Sequence, residues 1–440
     1  MAERASIRDG EPAMTRAGTE LLDQAARIGR TLCASAYWHS DRCNWVGRSP
    51  REMIQPGMPI VPTVTALGPE LYGGTAGIAL FLAHLHAQTR AARVRRTAIG
   101  AMRQALWRSE DLPPAASASF YSGLIGIAYA AVRVGLLVEE PQLVADGLRL
   151  ANRVAPSHAD QLLDVIGGNA GAVAPLLWLA RFPGGEALDQ LASELAADLA
   201  AAATKCDGVW RWDPERASGK GIGSTPLCGY AHGASGLGLA LLEIGVHDRR
   251  QEWVDGGLAA FAYEDRLYDG DRENWPDLRE LGARPNDSNT PPPSFMIAWC
   301  HGAAGIALAR LRAYQLLTKR HSELLQGVER AIRATSKYLQ VLPPDSDASP
   351  CHGRAGLAEV LLFAATVLED RHYADQAAEI WIRTLRSRRA GAEWPCGVAS
   401  GRNNPSLMLG VAGIGYALLR AENPQSVPSV LVIGSPADPL

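Results

Sequence analysis

Long apolar runs are missing from this sequence, and their absence argues against a membrane-spanning protein. The stretch from Ala170 to Ala180 is among the longest of its apolar segments, whereas a helix needs about 20 apolar residues to cross a bilayer. The N-terminal residues contain no apolar core of a secretory signal. We therefore expect a cytoplasmic protein.

The sequence also lacks a large net charge of either sign. Its number of cysteines is odd, so they cannot all be paired in disulfides within the chain. Lys and Arg number 43 against 46 for Asp and Glu, a net charge of −3. Nothing electrostatic therefore favours nucleic acid or an anionic membrane as a partner. Seven cysteines are an odd number in a long chain without a signal, which favours reduced thiols or metal ligands over disulfides.

Three familiar catalytic motifs are absent as well. The sequence contains no Gly-x-x-x-x-Gly-Lys-Ser/Thr phosphate loop and no Gly-x-Ser-x-Gly nucleophile elbow. Its Gly-x-x-Gly fragments lack the strand, turn and acidic residue of a dinucleotide-binding unit. Nucleotide-dependent transfer and α/β-hydrolase chemistry are therefore not indicated.

A repeated fragment, Gly-x-x-Gly usually followed by an apolar run, organises the chain. It occurs seven times, with steps of 45 to 69 residues from one first glycine to the next. Each step has room for two helices and their loops, and self-similarity at such a period is typical of a repeat architecture. The first glycines of the seven units are Gly74, Gly123, Gly168, Gly233, Gly302, Gly353 and Gly410.

The two helices expected within a repeat differ in pattern. The run after Gly77 is apolar on nearly every side, which is typical of a buried helix. The segment from Glu186 to Leu195 instead has one apolar stripe and one charged face. We predict an all-α toroid with an inner and an outer ring of helices, in which the paired glycines let backbones approach closely at the centre.

The domain organisation is predicted to be simple. Residues 1–18 are polar without an apolar period, and we expect them to be disordered, whereas residues 19–440 are expected to form one toroidal domain. Two inserts, 206–228 and 264–294, account for the two longest steps and are expected to wall a substrate mouth. Trp210 and Trp212 in the first insert are predicted to affect peptide affinity more than stability.

Two Cys-His-Gly triplets begin at Cys300 and Cys351, 51 residues apart. This separation is too long for a zinc finger, but both triplets fall at the same point of neighbouring repeats, which places them side by side. Cys300, Cys351 and His352 therefore form a candidate Cys₂His zinc site, and its open fourth position is typical of catalysis. The alternative is that both cysteines are small buried hydrophobes.

Candidate acid–base residues fall in related positions. His232 directly precedes a repeat glycine, as His301 and His352 do, so it is expected to face the same cavity and to act as acid or base. The alternative is a histidine that caps its own helix.

Asp164 is a second candidate and lies four residues before Gly168. It could pair with a histidine, because burying a lone carboxylate is costly. Alternatively, it could be a helix N-cap.

These residues resemble those of the lanthionine synthetase C-like cyclases, and most closely the C-terminal cyclase domain of LanM-type lanthipeptide synthetases. The resemblance covers about residue 20 to the end. It implies an α/α toroid, often with seven inner and seven outer helices. The stretches that carry it are 43–47 (Cys-Asn-Trp-Val-Gly), 164–168, 231–233, 299–302 (Trp-Cys-His-Gly), 351–353 (Cys-His-Gly) and 409–416.

The resemblance also implies roles for individual residues. Zinc ligands carry over onto Cys300, Cys351 and His352, and the general acid or base onto His232. The aspartate that orients the histidine carries over onto Asp164, while His301 takes the position after the first zinc cysteine. Some enzymes of the family have an arginine four residues before that cysteine, where this chain has Met296; its role must be absent or supplied elsewhere.

The function implied is a Zn²⁺-dependent peptide cyclase that makes lanthionine or methyllanthionine bridges. Its expected partner is a dehydrated precursor peptide with a leader. A separate dehydratase is also expected, because the chain lacks the dehydratase half of a LanM enzyme and is either a stand-alone cyclase or an excised domain. Two rivals are a toroid that transfers a thiol such as glutathione and a non-catalytic toroid that binds a peptide. A toroidal glycosidase is less favoured, since Asp164 has no evident carboxylate mate.

Overall fold

A helix follows each of the seven repeated glycine fragments. The structure, a computed structural model, describes residues 16–48, 64–155, 161–219, 224–279, 293–319, 321–389, 391–398 and 403–434. In every unit the first glycine immediately precedes the helix. These seven inner helices are α2 (Thr75–Thr89), α4 (Leu124–Leu137), α6 (Asn169–Leu179), α9 (Ala234–His247), α11 (Ala303–Leu316), α13 (Arg354–Leu368) and α15 (Val411–Glu422).

Seven further helices alternate with the inner ones and form the outer ring. They are α1 (Arg16–Ser35), α3 (Ala92–Trp107), α5 (Pro141–Ala151), α7 (Ala187–Ala202), α10 (Gln251–Asp265), α12 (Ser322–Val341) and α14 (Arg371–Ser387). A short helix, α8 (Pro214–Ser218), belongs to the first insert. The strands pair as antiparallel ribbons, β1 (Tyr37–His39) with β2 (Arg42–Asn44), β3 (Val46–Arg48) with β4 (Val64–Ala66), and β5 (Thr204–Cys206) with β6 (Val209–Arg211).

The inner helices close into a ring. Each packs against the next along the chain, and α15 returns to pack against α2. Six outer helices pack on the inner helix that precedes them, whereas α1 at the start of the chain packs on α15 at its end. The first and last described helices are thereby joined, and the predicted all-α toroid of seven inner and seven outer helices is confirmed.

The second glycine of each fragment permits the close approach between a helix and its own preceding loop. A Cβ atom on Gly77 would lie 2.2 Å from the carbonyl oxygen of Leu71, and one on Gly126 would lie 1.7 Å from that of Phe120. No side chain tolerates such contact with backbone, so larger residues would push each loop away from its helix. The repeated glycines therefore set the position of the loops at the ring centre.

The C-terminal segment fills the middle of the ring. Val427 and residues 430–433 are buried, and aromatic side chains of the ring donate hydrogen bonds to carbonyl oxygens of this segment. Tyr121 donates to Val430 at 2.7 Å, and the indole N–H of Trp299 donates to Leu431 at 3.0 Å. The C-terminal segment is thus part of the packed core at the ring centre.

The N-terminal boundary differs slightly from the prediction. Helix α1 begins at Arg16, inside the segment expected to be disordered, and residues 1–15 lie outside the described residues. None of the described helices is long and apolar enough to traverse a lipid bilayer.

The first insert packs differently from the prediction. The Trp212 side chain is only 3% exposed, and its indole N–H donates to the Leu199 carbonyl at 2.8 Å. Truncating so buried a tryptophan costs roughly 3–5 kcal/mol, so Trp212 belongs to the core and the prediction of a mouth residue is wrong. Trp210 lies against Gly256 of the outer helix α10, away from the ring centre. Of the second insert, residues 280–292 lie outside the described residues.

Candidate metal centre and acid–base pair

The loops before the inner helices are joined around the ring by hydrogen bonds, here called the backbone belt. In six links an N–H of one loop donates to a carbonyl of the next loop, and in the seventh the Ser122 hydroxyl donates to the Ile166 carbonyl at 3.1 Å. The six are Tyr72 to Tyr121, Met408 to Tyr72, Cys351 to Met408, Cys300 to Cys351, Ala231 to Cys300 and Val165 to Ala231, at 2.8–3.3 Å.

This belt explains why the two Cys-His-Gly triplets meet. Cys300 and Cys351 each lie two residues before the first glycine of their unit, and their loops are directly linked by the Cys300 N–H to Cys351 carbonyl bond of 3.3 Å. The metal-binding atoms of Cys300, Cys351 and His352 all lie within 4.8 Å of one another. Two buried thiols and one imidazole are soft and intermediate ligands that suit zinc better than magnesium or calcium.

His352 is oriented by a second layer of contacts. Its Nε2 donates to the Gly397 carbonyl at 3.0 Å and lies 3.4 Å from Asp347 Oδ2. Because Nε2 carries the proton, Nδ1 is left with the lone pair that a metal needs, an arrangement common among metal-binding histidines. Burial alone would lower the pKa of His352, but the contacts with Cys300 and Asp347 outweigh it and raise that pKa.

The pKa values of the two thiols are shifted in opposite directions. The contact from Cys351, helped by His352, holds the pKa of Cys300 well below its usual range although burial opposes the charge. The same contact, together with burial, raises the pKa of Cys351. The Tyr72 hydroxyl also donates to Cys351 Sγ at 3.0 Å. The chain therefore accommodates thiolate charge at this position, as a metal site requires.

The structure brings Asp164 and His232 into direct contact. Asp164 is almost fully buried; its Oδ2 lies 2.5 Å from His232 Nδ1, and its Oδ1 accepts from the Gly167 N–H at 2.7 Å. A carboxylate only accepts hydrogen bonds, so Nδ1 carries the proton and Nε2 is free to act as acid or base. The short helix α8 supports this loop, because the Ala217 carbonyl accepts from the Asp164 N–H at 3.0 Å.

His301 connects the acid–base pair to the thiols. It directly follows Cys300, and its ring stacks on that of His232 with 5.6 Å between centroids and 25° between planes. Burial lowers the pKa of His301 to about 4, so the ring is neutral at pH 7. Its Nε2 is buried and has no hydrogen-bond partner among the described residues.

Asp277 and Arg279 of the second insert complete the site, and residue patterns alone missed them. Arg279 donates to both oxygens of Asp277, from Nε at 2.9 Å and from Nη2 at 2.7 Å, and Asp277 Oδ1 lies 4.0 Å from His301 Nδ1. Burial would lower the pKa of Arg279, but Asp277 and, more weakly, the Cys300 and Cys351 charges raise it. The guanidinium is thus a cation within electrostatic reach of both thiols.

The Asn274 side chain supports the loop at Met296. Asn274 donates to the Met296 carbonyl at 3.0 Å and accepts from the Ala303 N–H at 3.0 Å, the first N–H of α11. Gly302 in this loop has φ +80, and a Cβ there would lie 1.8 Å from the Met296 carbonyl oxygen. The glycines that directly precede the other six inner helices have an extended backbone conformation, and Gly302 differs from them.

The chain is similar to known proteins in sequence and in fold. A family model described as lanthionine synthetase C-like protein matches residues 65–432. Among solved structures, nisin cyclase matches with a TM-score of 0.54 and 19% identity, over 81% of this chain and 89% of that one. A sugar epimerase from a ruminal bacterium matches with a TM-score of 0.44 and 12% identity, over 92% and 98% of the two chains. No curated protein matches the sequence.

Proposed function

Because the chain belongs to the lanthionine synthetase C-like family, we propose that it closes thioether rings in a peptide. The sulfur of a peptide cysteine adds to the β-carbon of a dehydroalanine or dehydrobutyrine in the same molecule. One carbon–sulfur bond forms, the carbon–carbon double bond becomes single, and the proton lost by the thiol is matched by the proton gained at the α-carbon. The products are lanthionine and methyllanthionine.

The observation that carries this proposal is a three-ligand set beside an acid–base pair. Cys300, Cys351 and His352 are close enough to hold one ion, and His301, which directly follows Cys300, stacks on His232. Three protein ligands leave one position open, as in catalytic zinc sites. A zinc ion held there would act as a Lewis acid that keeps a substrate thiol deprotonated near neutral pH.

His232 is proposed to move the proton. Its Nε2 takes the thiol proton or delivers a proton to the α-carbon of the enolate that forms after addition. Asp164 holds the imidazole by Nδ1, fixes which nitrogen carries the proton and stabilises the protonated ring. His301, neutral and stacked on His232, is proposed to hold that ring in place.

The partners proposed are a peptide that has already been dehydrated and a separate dehydratase that prepares it.

A synthetic peptide with one dehydroalanine and one cysteine tests the reaction. Ring closure leaves its mass unchanged but removes the free thiol, which N-ethylmaleimide labelling and mass spectrometry count. With added glutathione, we expect intramolecular loss of the thiol to continue. Glutathione adducts in place of rings would indicate a thiol transferase. If the number of free thiols stayed the same even in a dehydrated precursor that carries its leader, the protein would be a non-catalytic toroid.

Arg279 is proposed to stabilise the negative charge that develops on the peptide carbonyl oxygen. Its Nη1 has no hydrogen-bond partner among the described residues, whereas Nε and Nη2 are held by Asp277. Arg279→Gln is expected to slow cyclisation by about 10²-fold, as loss of a donor to such a charge typically does, and to retain zinc. Arg272→Gln on the same insert, where Arg272 lies over Phe295, is the matched control. Equal rates for the two variants would remove Arg279 from the mechanism.

A further inference from the structure

Tyr72 reaches the candidate metal centre from a unit that contributes no ligand. Its hydroxyl donates to Cys351 Sγ at 3.0 Å, although 279 residues separate the two in sequence. The backbone belt fixes the position of Tyr72, because its N–H donates to Tyr121 and its carbonyl accepts from Met408. The N–H of Cys351 donates to the same Met408. The backbones of Tyr72 and Cys351 are thus both fixed by hydrogen bonds to Met408, which holds the hydroxyl close to the thiol.

A site with two cysteine ligands and a cysteine substrate must let the substrate sulfur react while its own sulfurs do not. If a substrate cysteine took the open position of a bound ion, Cys300, Cys351 and the substrate would supply three sulfurs, and each of them could add to a dehydroalanine. Addition of Cys351 or Cys300 would alkylate the protein and inactivate it. A hydrogen bond to a thiolate withdraws negative charge from the sulfur, and charge-assisted bonds of this kind are about twice as strong as neutral ones.

We propose that Tyr72 makes the Cys351 thiolate a poor nucleophile, so that the substrate thiolate reacts in preference to this ligand. This inference rests on the proposed zinc site and adds a specificity-determining residue to it. Tyr72 touches neither the peptide nor the reacting carbon in this account. It acts through Cys351, and its effect is therefore measured as a change in the charge or the reactivity of the Cys351 sulfur rather than as a change in turnover.

The repeat provides a matched control. Tyr121 lies two residues before Gly123, as Tyr72 lies two residues before Gly74, and both tyrosines take part in the backbone belt. The Tyr121 hydroxyl, however, donates to the Val430 carbonyl at 2.7 Å. Tyr72→Phe and Tyr121→Phe thus remove the same atom from equivalent positions, but only the first change removes a hydrogen bond to a ligand sulfur.

Cobalt in place of zinc gives a readout that does not depend on catalysis. The sulfur-to-cobalt charge-transfer band reports the charge on the ligand thiolates. In Tyr72→Phe we expect the band to move to longer wavelength, because the sulfur regains charge, and in Tyr121→Phe we expect it to stay at the wild-type position. Site-specific 3-fluorotyrosine at position 72, a stronger donor of nearly the same size, is expected to move the band the other way. Unchanged bands in both position-72 proteins would overturn the inference.

Alkylation of the protein is the second readout. Zinc-loaded protein is incubated with N-acetyldehydroalanine methyl ester, which offers the acceptor without a competing thiol, and adducts are located by peptide mapping. Each adduct forms one carbon–sulfur bond at a cysteine, and the α-carbon takes a proton from water. A hydrogen bond to a charged group contributes about 1.5–3 kcal/mol, so Tyr72→Phe is expected to gain adduct at Cys351 at least about tenfold faster than Tyr121→Phe. Equal rates, including none in either protein, would contradict the proposal.

Failure of the proposed function gives a different result. If the wild-type protein takes up neither cobalt nor zinc at stoichiometric levels, the metal site itself is wrong. If it takes up the metal and the two phenylalanine variants have identical spectra, only the role of Tyr72 is wrong.

Discussion

Replacing Cys351 with alanine is expected to remove most of the bound zinc and to reduce ring closure by about 10³-fold. Three protein ligands cannot easily be reduced to two, and Cys351 is the ligand that the belt ties to Cys300 and that Tyr72 contacts. A catalytic metal ion contributes several kcal/mol of transition-state stabilisation, and each 1.4 kcal/mol is about a factor of ten in rate. Zinc per chain and free thiol in the dehydrated peptide are the two quantities to measure.

Cys33→Ala is the control for this prediction. Cys33 is also buried, but it lies on the outer helix α1 and outside the ligand set. It is expected to retain both zinc and activity. Full zinc occupancy in both Cys300→Ala and Cys351→Ala would show that the ligands have been assigned wrongly.

His232→Asn is expected to slow ring closure by about 10²-fold or more while zinc and the fold are retained, since that is the usual contribution of a general acid or base. Asp164→Asn is expected to act through the same residue. The asparagine can still accept the hydrogen bond from the Gly167 N–H, but it no longer offers a negative charge to the imidazole at 2.5 Å. Rates are measured from the free thiol left in the peptide.

The double variant decides whether the pair works as a unit. Residues that act through one another have non-additive effects, so His232→Asn combined with Asp164→Asn should be little slower than His232→Asn alone. Independent losses that multiply would mean that Asp164 only shapes the loop at Gly167 and that His232 works without it.

The sequence contained most of the information on the fold because the repeat has a physical cause. The second glycines are required where helix and loop touch, as at Gly77 and Gly126, so they recur in every unit and reveal the number of units. Equivalent positions then imply equivalent places around the ring. Cys300 and Cys351 occupy equivalent positions of neighbouring units, so the sequence alone predicts that they lie side by side.

Residues outside the repeat could not be placed in this way. Arg279 is one of several charged residues in the second insert, and nothing in its spacing indicates contact with Asp277 beside His301. The burial of Trp212 could not be predicted, because a tryptophan in an insert has no period from which burial can be inferred. Tyr72 occupied the same position as the cysteines, but the direction of its hydroxyl depends on packing across two neighbouring loops.

The most direct test of the account is the coordination of zinc in the purified protein, measured by X-ray absorption at the zinc edge. We predict about one zinc per chain with two sulfur ligands at about 2.3 Å, contributed by Cys300 and Cys351. Adding a cysteine-containing peptide should raise the number of sulfur ligands to three, because the substrate thiol takes the open position. Protein without stoichiometric zinc, or zinc whose sulfur count does not change with the peptide, would contradict the account.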